Sequence, residues 1–218
     1  MTEFIQVLVV DDHKVVREGL CAMLIPRNGM EVVGEAADGA EAVEKARTLN
    51  PEVILMDLNL PVKSGLEAIS EIVQENSEAR ILVLTSFDEE SNISTAFEAG
   101  ALGYLSKNSS TQELLHAVRG VAMGSLSVSP GVTQTLLRDF GKPNLPPQSS
   151  VSSLTERELD VLRALGQGYS NQEIAEKLNI EVTTVRSHFS RVLKKLGLKN
   201  RTQVALYAVE IGLVQPEE

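Results

Sequence analysis

Five polar positions stand directly at the ends of apolar runs. Asp11 and Asp12 follow IQVLVV, Asp57 closes VILMD, Thr85 closes ILVLT, and Lys107 follows GYLS. Three carboxylates, a hydroxyl and an ammonium make a set that can accept a phosphoryl group. One carboxylate acts as nucleophile, a divalent cation held by carboxylate oxygens neutralises developing charge, and the lysine and hydroxyl hold the transferred oxygens. Carboxylate and water oxygens suit Mg2+. Histidine is not part of this chemistry: His13, His116 and His188 are scattered, and His13 reads as the solvated start of a helix.

The five groups run from position 11 to position 107, so only a fold that gathers strand ends can bring them together. The apolar runs 5–10, 30–35, 53–57, 81–85 and 103–106 read as strands. Helical patterns at 14–24, 40–49, 65–74, 89–99 and 111–123 lie between and after them. VILM is apolar without alternation, as in a strand covered on both faces. Strands alternating with helices predict an α/β, doubly wound, five-stranded parallel sheet. In such a sheet ligands gather outside the carboxyl ends of the strands, where all five polar groups stand. Asp57, at the end of a mid-sheet strand, is the candidate nucleophile.

A second kind of chemistry lies further on. The chain carries a formal charge of −10, unevenly distributed. Residues 1–125 hold 9 basic and 20 acidic side chains, whereas 151–218 hold 9 of each. From Val182 to Arg201 there are six basic residues and no acid. LTERELDVLRALGQGYS, NQEIAEKL, VTTVRSHFSRVLKKLG and TQVALYAVEIG predict an all-α domain of four helices. Val182, Val185, Phe189, Val192, Leu193 and Leu196 form the apolar face of the third helix. That leaves Thr184, Arg186, Ser187, Ser190, Arg191, Lys194 and Lys195 outward. A basic helix after a tight turn suits the major groove of double-stranded DNA. The expected organisation is therefore residues 1–125, a Pro/Ser-rich linker with room for a short helix at 126–150, and residues 151–218.

Two resemblances sharpen this reading. DDHKVVREGL, VILMDLNLP, LTSFDE and GYLSK together resemble the receiver domain of two-component response regulators, over about residues 4–123. The resemblance implies Asp57 as phosphoacceptor, and Asp11, Asp12, Asp57 and the main-chain carbonyl of Asn59 as Mg2+ ligands. It further implies Thr85 and Lys107 as phosphate contacts, with Thr85 and Tyr104 as the switch pair. Asn108 stands where many receivers carry proline. The segment LTERELDVLRALGQGYSNQEIAEKLNIEVTTVRSHFSRVLKKLGLKNRTQ resembles the LuxR-type helix-turn-helix. By that likeness Arg186, Ser187 and Ser190 approach base edges, while Thr184, Arg191, Lys194 and Lys195 contact phosphates. The combination resembles the NarL/FixJ class. It implies a transcriptional regulator with a sensor histidine kinase and promoter DNA as partners, forming a homodimer when phosphorylated. Residues 202–211 are the candidate dimer helix.

Composition excludes several other classes. A single cysteine, Cys21, rules out an internal disulfide framework, and no apolar run is long enough to cross a membrane. The chain is expected to be soluble and cytoplasmic, with no membrane partner. An aspartyl-phosphate phosphatase would share the acidic site but needs a second aspartate where this chain has Asn59, so no enzyme is expected. A phosphorylation-independent DNA-binding protein with a scaffold-only receiver is the alternative reading.

Overall fold

The computed structural model describes residues 4–85, 93–128, 132, 136 and 148–214 of the 218-residue chain. The tail of the LTSFDE motif, the first residues of the helix expected at 89–99, and most of the 126–150 segment lie outside the described residues.

Five strands form one parallel sheet: β1 (Ile5–Val10), β2 (Met30–Ala36), β3 (Val53–Asp57), β4 (Ile81–Thr85) and β5 (Gly103–Ser106). Their order, β2-β1-β3-β4-β5, puts β3 in the centre, and the order in which strands are added reverses between β1 and β3. Helices α1 (Lys14–Met23), α2 (Gly39–Leu49), α3 (Gly65–Glu75), α4 (Ile93–Ala99) and α5 (Thr111–Ala122) cover both faces. The pleat sorts the strand residues. Leu8, Val10, Ile54, Met56, Ile81 and Val83 pack with α2, α3 and α4, while Val7, Val9, Val53, Leu55, Leu82 and Leu84 pack with α1 and α5. Every residue of β3 and β4 is buried. Each large aliphatic side chain so placed contributes about 1.5–3 kcal/mol.

Local chemistry sets the helix starts. Asp38 accepts from the backbone of Ala40 and Glu41, and Ser64–Glu67 and Ser110–Glu113 close capping boxes. Gly65 has a separate reason to be glycine: a Cβ there would lie 2.1 Å from the Asp57 carbonyl oxygen. The start of α3 therefore packs against the loop that carries the central aspartate.

The second domain comprises α6 (Glu156–Gly166), α7 (Asn171–Leu178), α8 (Val182–Leu196) and α9 (Arg201–Glu210). Val161, Leu165, Ile174, Val185, Phe189, Val192, Leu196 and Tyr207 form its core. Thr155–Glu158 and Ser170–Glu173 are again capping boxes. Asn179, at φ 51°, ends α7 in the left-handed region and turns the chain within three residues into α8.

Candidate functional site

Strand register brings the predicted residues level with one another. Val10 pairs with Met56, so Asp11 lies beside Asp57; Thr85 pairs with Ser106, one residue before Lys107. The Lys107 ammonium lies 2.7 Å from Asp57 Oδ2 and 2.8 Å from Asp11 Oδ2. Asp11 and Asp57 are 1% and 3% exposed, so these carboxylates have left water for a single shared cation. Burial pushes the Asp57 carboxyl above the ordinary aspartate range, with Lys107 pulling it down and Asp11 adding to the rise. For Lys107, burial pulls the ammonium down, but its bonds to Asp11 and Asp57 outweigh this and leave it raised.

Asp11 Oδ1 accepts from the His13 backbone at 2.8 Å, whereas the buried Oδ2 makes no hydrogen bond of good geometry despite Lys107 nearby. Asp11, Asp12 and His13 each offer a ligand atom within 4.8 Å of the others. Asp11 Oδ2, met by Lys107 without a well-aligned hydrogen bond, stands with the Asp12 and Asp57 carboxylates as an all-oxygen donor set that fits a hard divalent cation. His13 is the exposed N-cap of α1, its Nδ1 2.6 Å from Asp12 Oδ1. Asn59 is exposed on the loop that follows Asp57, its N–H 3.4 Å from Asp57 Oδ1. Thr85 is buried, and its carbonyl accepts from the Lys107 backbone at 2.7 Å. Tyr104 is also buried, its ring 6.3 Å from that of Phe97 in a tilted contact. Lys107 reaches the carboxylates without a cis bond after it, since the described backbone contains no cis peptide. Within the same acceptor loop, Val62 holds φ 66°, a left-handed conformation unusual for a β-branched residue.

The other predicted group forms one face of α8. Val185, Phe189, Val192 and Leu196 are buried, while Thr184, Arg186, Ser187, Ser190, Arg191, Lys194 and Lys195 are all exposed.

Residues 7–119 match the response regulator receiver domain family, and residues 152–208 match the LuxR family of bacterial regulatory proteins. The chain is a response regulator of the NarL/FixJ class. It is 42% identical over 213 residues to the transcriptional regulatory protein LiaR of Bacillus subtilis, covering 96% of this chain and 99% of that one. Over 216 residues it is 38% identical to the B. subtilis transcriptional regulatory protein LnrK, covering 96% and 98%. Among solved structures it resembles the response regulator ChrA of a heme-sensing two-component system, with 33% identity, a TM-score of 0.53, and coverage of 97% of this chain and 100% of that chain. As a NarL/FixJ-class regulator it couples a receiver to a DNA-binding output in a two-component system, and its output is transcription.

In this response regulator the two domains touch, and the contact joins expected binding residues to partners that the sequence pattern does not mark. Asn200 donates to the Phe97 and Glu98 carbonyls at 3.2 and 3.0 Å, and the Thr202 hydroxyl donates to the Ala101 carbonyl at 2.6 Å. Leu206 of α9 joins the receiver's apolar cluster with Phe97 and Tyr104. Arg186 on α8 pairs with the receiver's Glu78 at 2.9 Å. Lys195 also has a protein partner: it lies 2.6 Å from the buried Glu158 and 3.0 Å from the Ser153 carbonyl. Nothing local marks Glu78 or Asn200 as interface residues, and Thr202, in the segment expected to pair with a second copy, here meets the receiver. The pairing of Glu158 with Lys195 spans 37 positions, so no local pattern announces it.

Proposed function

We propose that Asp57 is the phosphoacceptor of this regulator, that Mg2+ assists the transfer, and that the phosphorylated chain dimerises on promoter DNA. The observation that carries this reading is the Lys107 bridge between Asp11 and Asp57 at the sheet's carboxyl edge. In the transfer, a carboxylate oxygen of Asp57 bonds to phosphorus while the phosphorus–nitrogen bond of the kinase phosphohistidine breaks. When bound, Mg2+ supplies neutralisation of the phosphoryl oxygens; Asp11, Asp12, Asp57 and the main-chain carbonyl of Asn59 would hold it. Lys107 then pairs with a phosphoryl oxygen, and the Thr85 hydroxyl closes on another. Tyr104, buried against Phe97, follows that movement.

The output follows from what the domain contact occupies. In the arrangement described, Glu78 holds Arg186, and the receiver covers the start of α9 through Asn200, Thr202 and Leu206. Phosphorylation frees both, so α8 can enter the major groove and α9 can pair with a second copy. Arg186, Ser187 and Ser190 face base edges; Thr184, Arg191 and Lys194 face phosphates. Lys195 braces α8 on α6 through Glu158, and any phosphate contact it makes is shared with that brace. We assign 1–125 to the receiver, 126–150 to the linker and 151–218 to DNA binding. Among the described residues no helix is long and apolar enough to cross a membrane, and we place the protein in the cytoplasm because its DNA is there.

The test treats the chain with a small acyl-phosphate donor and Mg2+. The parent should be labelled, sediment as a dimer and bind operator DNA more tightly. Asp57→Ala should be unlabelled and remain monomeric. Undiminished labelling of that variant, or identical masses with and without donor, would overturn the reading.

A further inference from the structure

Arg17 is a side chain at the carboxylate edge to which the phosphoryl chemistry gives no role. It lies in the first turn of α1, and its guanidinium folds back over the end of β1. Nη1 donates to the main-chain carbonyls of Asp11 at 2.7 Å and Asp12 at 3.3 Å. Nε donates to Glu35 Oε2 at 3.1 Å, on the neighbouring β2. The Arg17 side chain is only 14% exposed, whereas its partner Glu35 stands 48% exposed at the surface. We propose that Arg17 is a positioning residue for the acidic pair: by clamping two successive peptide carbonyls to β2, it fixes the direction of the Asp11 and Asp12 carboxylates toward the Mg2+ site. The inference rests on the reading of this edge as a Mg2+-assisted acceptor site.

The physical reason lies in how short these side chains are. An aspartate has one carbon between backbone and carboxylate, so rotation of its peptide plane swings the oxygens by nearly the same amount. Asp11 shows the consequence. Its Oδ1 is held by the His13 N–H, which leaves Oδ2 at the buried edge beside Lys107. That split requires the turn between β1 and α1 to stay in one conformation. A guanidinium suits the task because its rigid planar fork holds its donors in fixed, separated directions, Nη1 to two carbonyls and Nε to a carboxylate, whereas a lysine presents one rotatable point charge. Groups that orient metal ligands without touching the metal typically change affinity by about 10–100-fold when removed.

Charge and positioning make opposite predictions. Arg17 is a cation close to a cation site, so if it acted through charge alone, removing it would tighten Mg2+ binding. If it acts by holding the turn, removing it weakens binding. Titration of MgCl2 into the full, unphosphorylated chain, followed by calorimetry well below the melting temperature, separates the two. Arg17→Ala should bind Mg2+ about 10–100-fold more weakly than the parent. Glu35→Gln, which loosens the anchor but keeps the carbonyl bonds, should weaken binding by less. Asp12→Ala serves as the ligand control. If the parent binds Mg2+, Asp12→Ala loses it, and Arg17→Ala binds as well as or better than the parent, the positioning role is wrong while the site stands. If Asp12→Ala binds like the parent, the metal site itself has been misread. Should Arg17→Ala fail to fold, Glu35→Gln decides, and parent-like affinity in it overturns the proposal.

Discussion

The carboxylate edge of the receiver and the basic face of α8 are both charged, but they are built in opposite ways. At the receiver edge, four strands deliver one or two groups each, and the two central carboxylates are almost fully buried around one lysine. On α8 a single helix supplies every group, and all of them are exposed. Burial makes each receiver charge depend on its neighbours, because a carboxylate out of water costs free energy unless a cation or donor meets it. Exposure makes the α8 side chains nearly independent, each worth what it gains from DNA. The receiver site is therefore sensitive to position, and the DNA face to composition.

Glu158 breaks this division, because it brings a buried charge into the DNA-binding domain. Glu158→Gln keeps an acceptor for the Thr155 N–H but removes the charge that meets Lys195. It should lower the stability of this domain by about 1.5–3 kcal/mol, the range for a charged hydrogen bond. The bond to Lys195 holds the Glu158 carboxyl below the ordinary range, helped by the Thr155 backbone. Its contribution is therefore full above the unfolded value of about 4.3 and fades as pH falls through the folded value. Denaturant melts at neutral pH and near pH 3 check the sign; an equal difference at both would leave the ion pair without a role.

Independence on α8 predicts that its residues fail separately. Arg186→Ala should cost about 1–3 kcal/mol on the specific operator and much less on random duplex, since an arginine fork pairs bidentately with guanine. Lys194→Ala should weaken all duplexes alike and flatten the salt dependence by about 0.9 log unit of affinity per log unit of salt. Salt titrations on both DNAs would reverse these roles if Lys194→Ala proved the selective one.

In the receiver, the interdependence can be measured at Asp57. Its carboxyl is raised, chiefly by burial, so its protonated form favours the folded state. That stability is present below about pH 3.9, the unfolded value, and is lost as pH rises through the folded value. Asp57→Asn should therefore raise the melting temperature of the metal-free protein at neutral pH, by about 1.4 kcal/mol of stability per unit of the rise in pKa. The gain should vanish in acid. A neutral-pH loss instead would mean that the Lys107 pair outweighs the burial. The smallest effect belongs to the contact between the two regions. Glu78→Gln removes the partner of a half-exposed Arg186, a pair worth about 0.2–1 kcal/mol. Operator affinity of the unphosphorylated chain should rise by no more than a few-fold, while that of the phosphorylated chain stays the same.

How far each region could be read in advance follows from the range of the interactions that build it. The strand runs, the receiver helices and the α8 face repeat over two to four residues, and their positions agree with the sequence reading to within a residue or two wherever they are described, whereas the segment 154–170 read as one helix ends at Gly166. The run VILMD marked a doubly covered strand because both faces of β3 are packed. Asp11, Asp57, Thr85 and Lys107 stood at strand ends, so naming the fold was enough to predict that they meet. Arg17, Glu35, Glu158, Glu78, Asn200 and Thr202 carried no such mark. Each is an ordinary polar residue whose role comes from a partner on another element, up to 103 positions away for Asn200. Sequence alone fixed the chemical inventory and the local elements, because periodicity and end-chemistry act over neighbouring residues. Only the tertiary structure decided that Lys107 stands between two buried carboxylates, that Lys195 is spent on Glu158, and that Arg186 rests on the receiver. Those outcomes depend on register and domain packing, which no short window of residues contains.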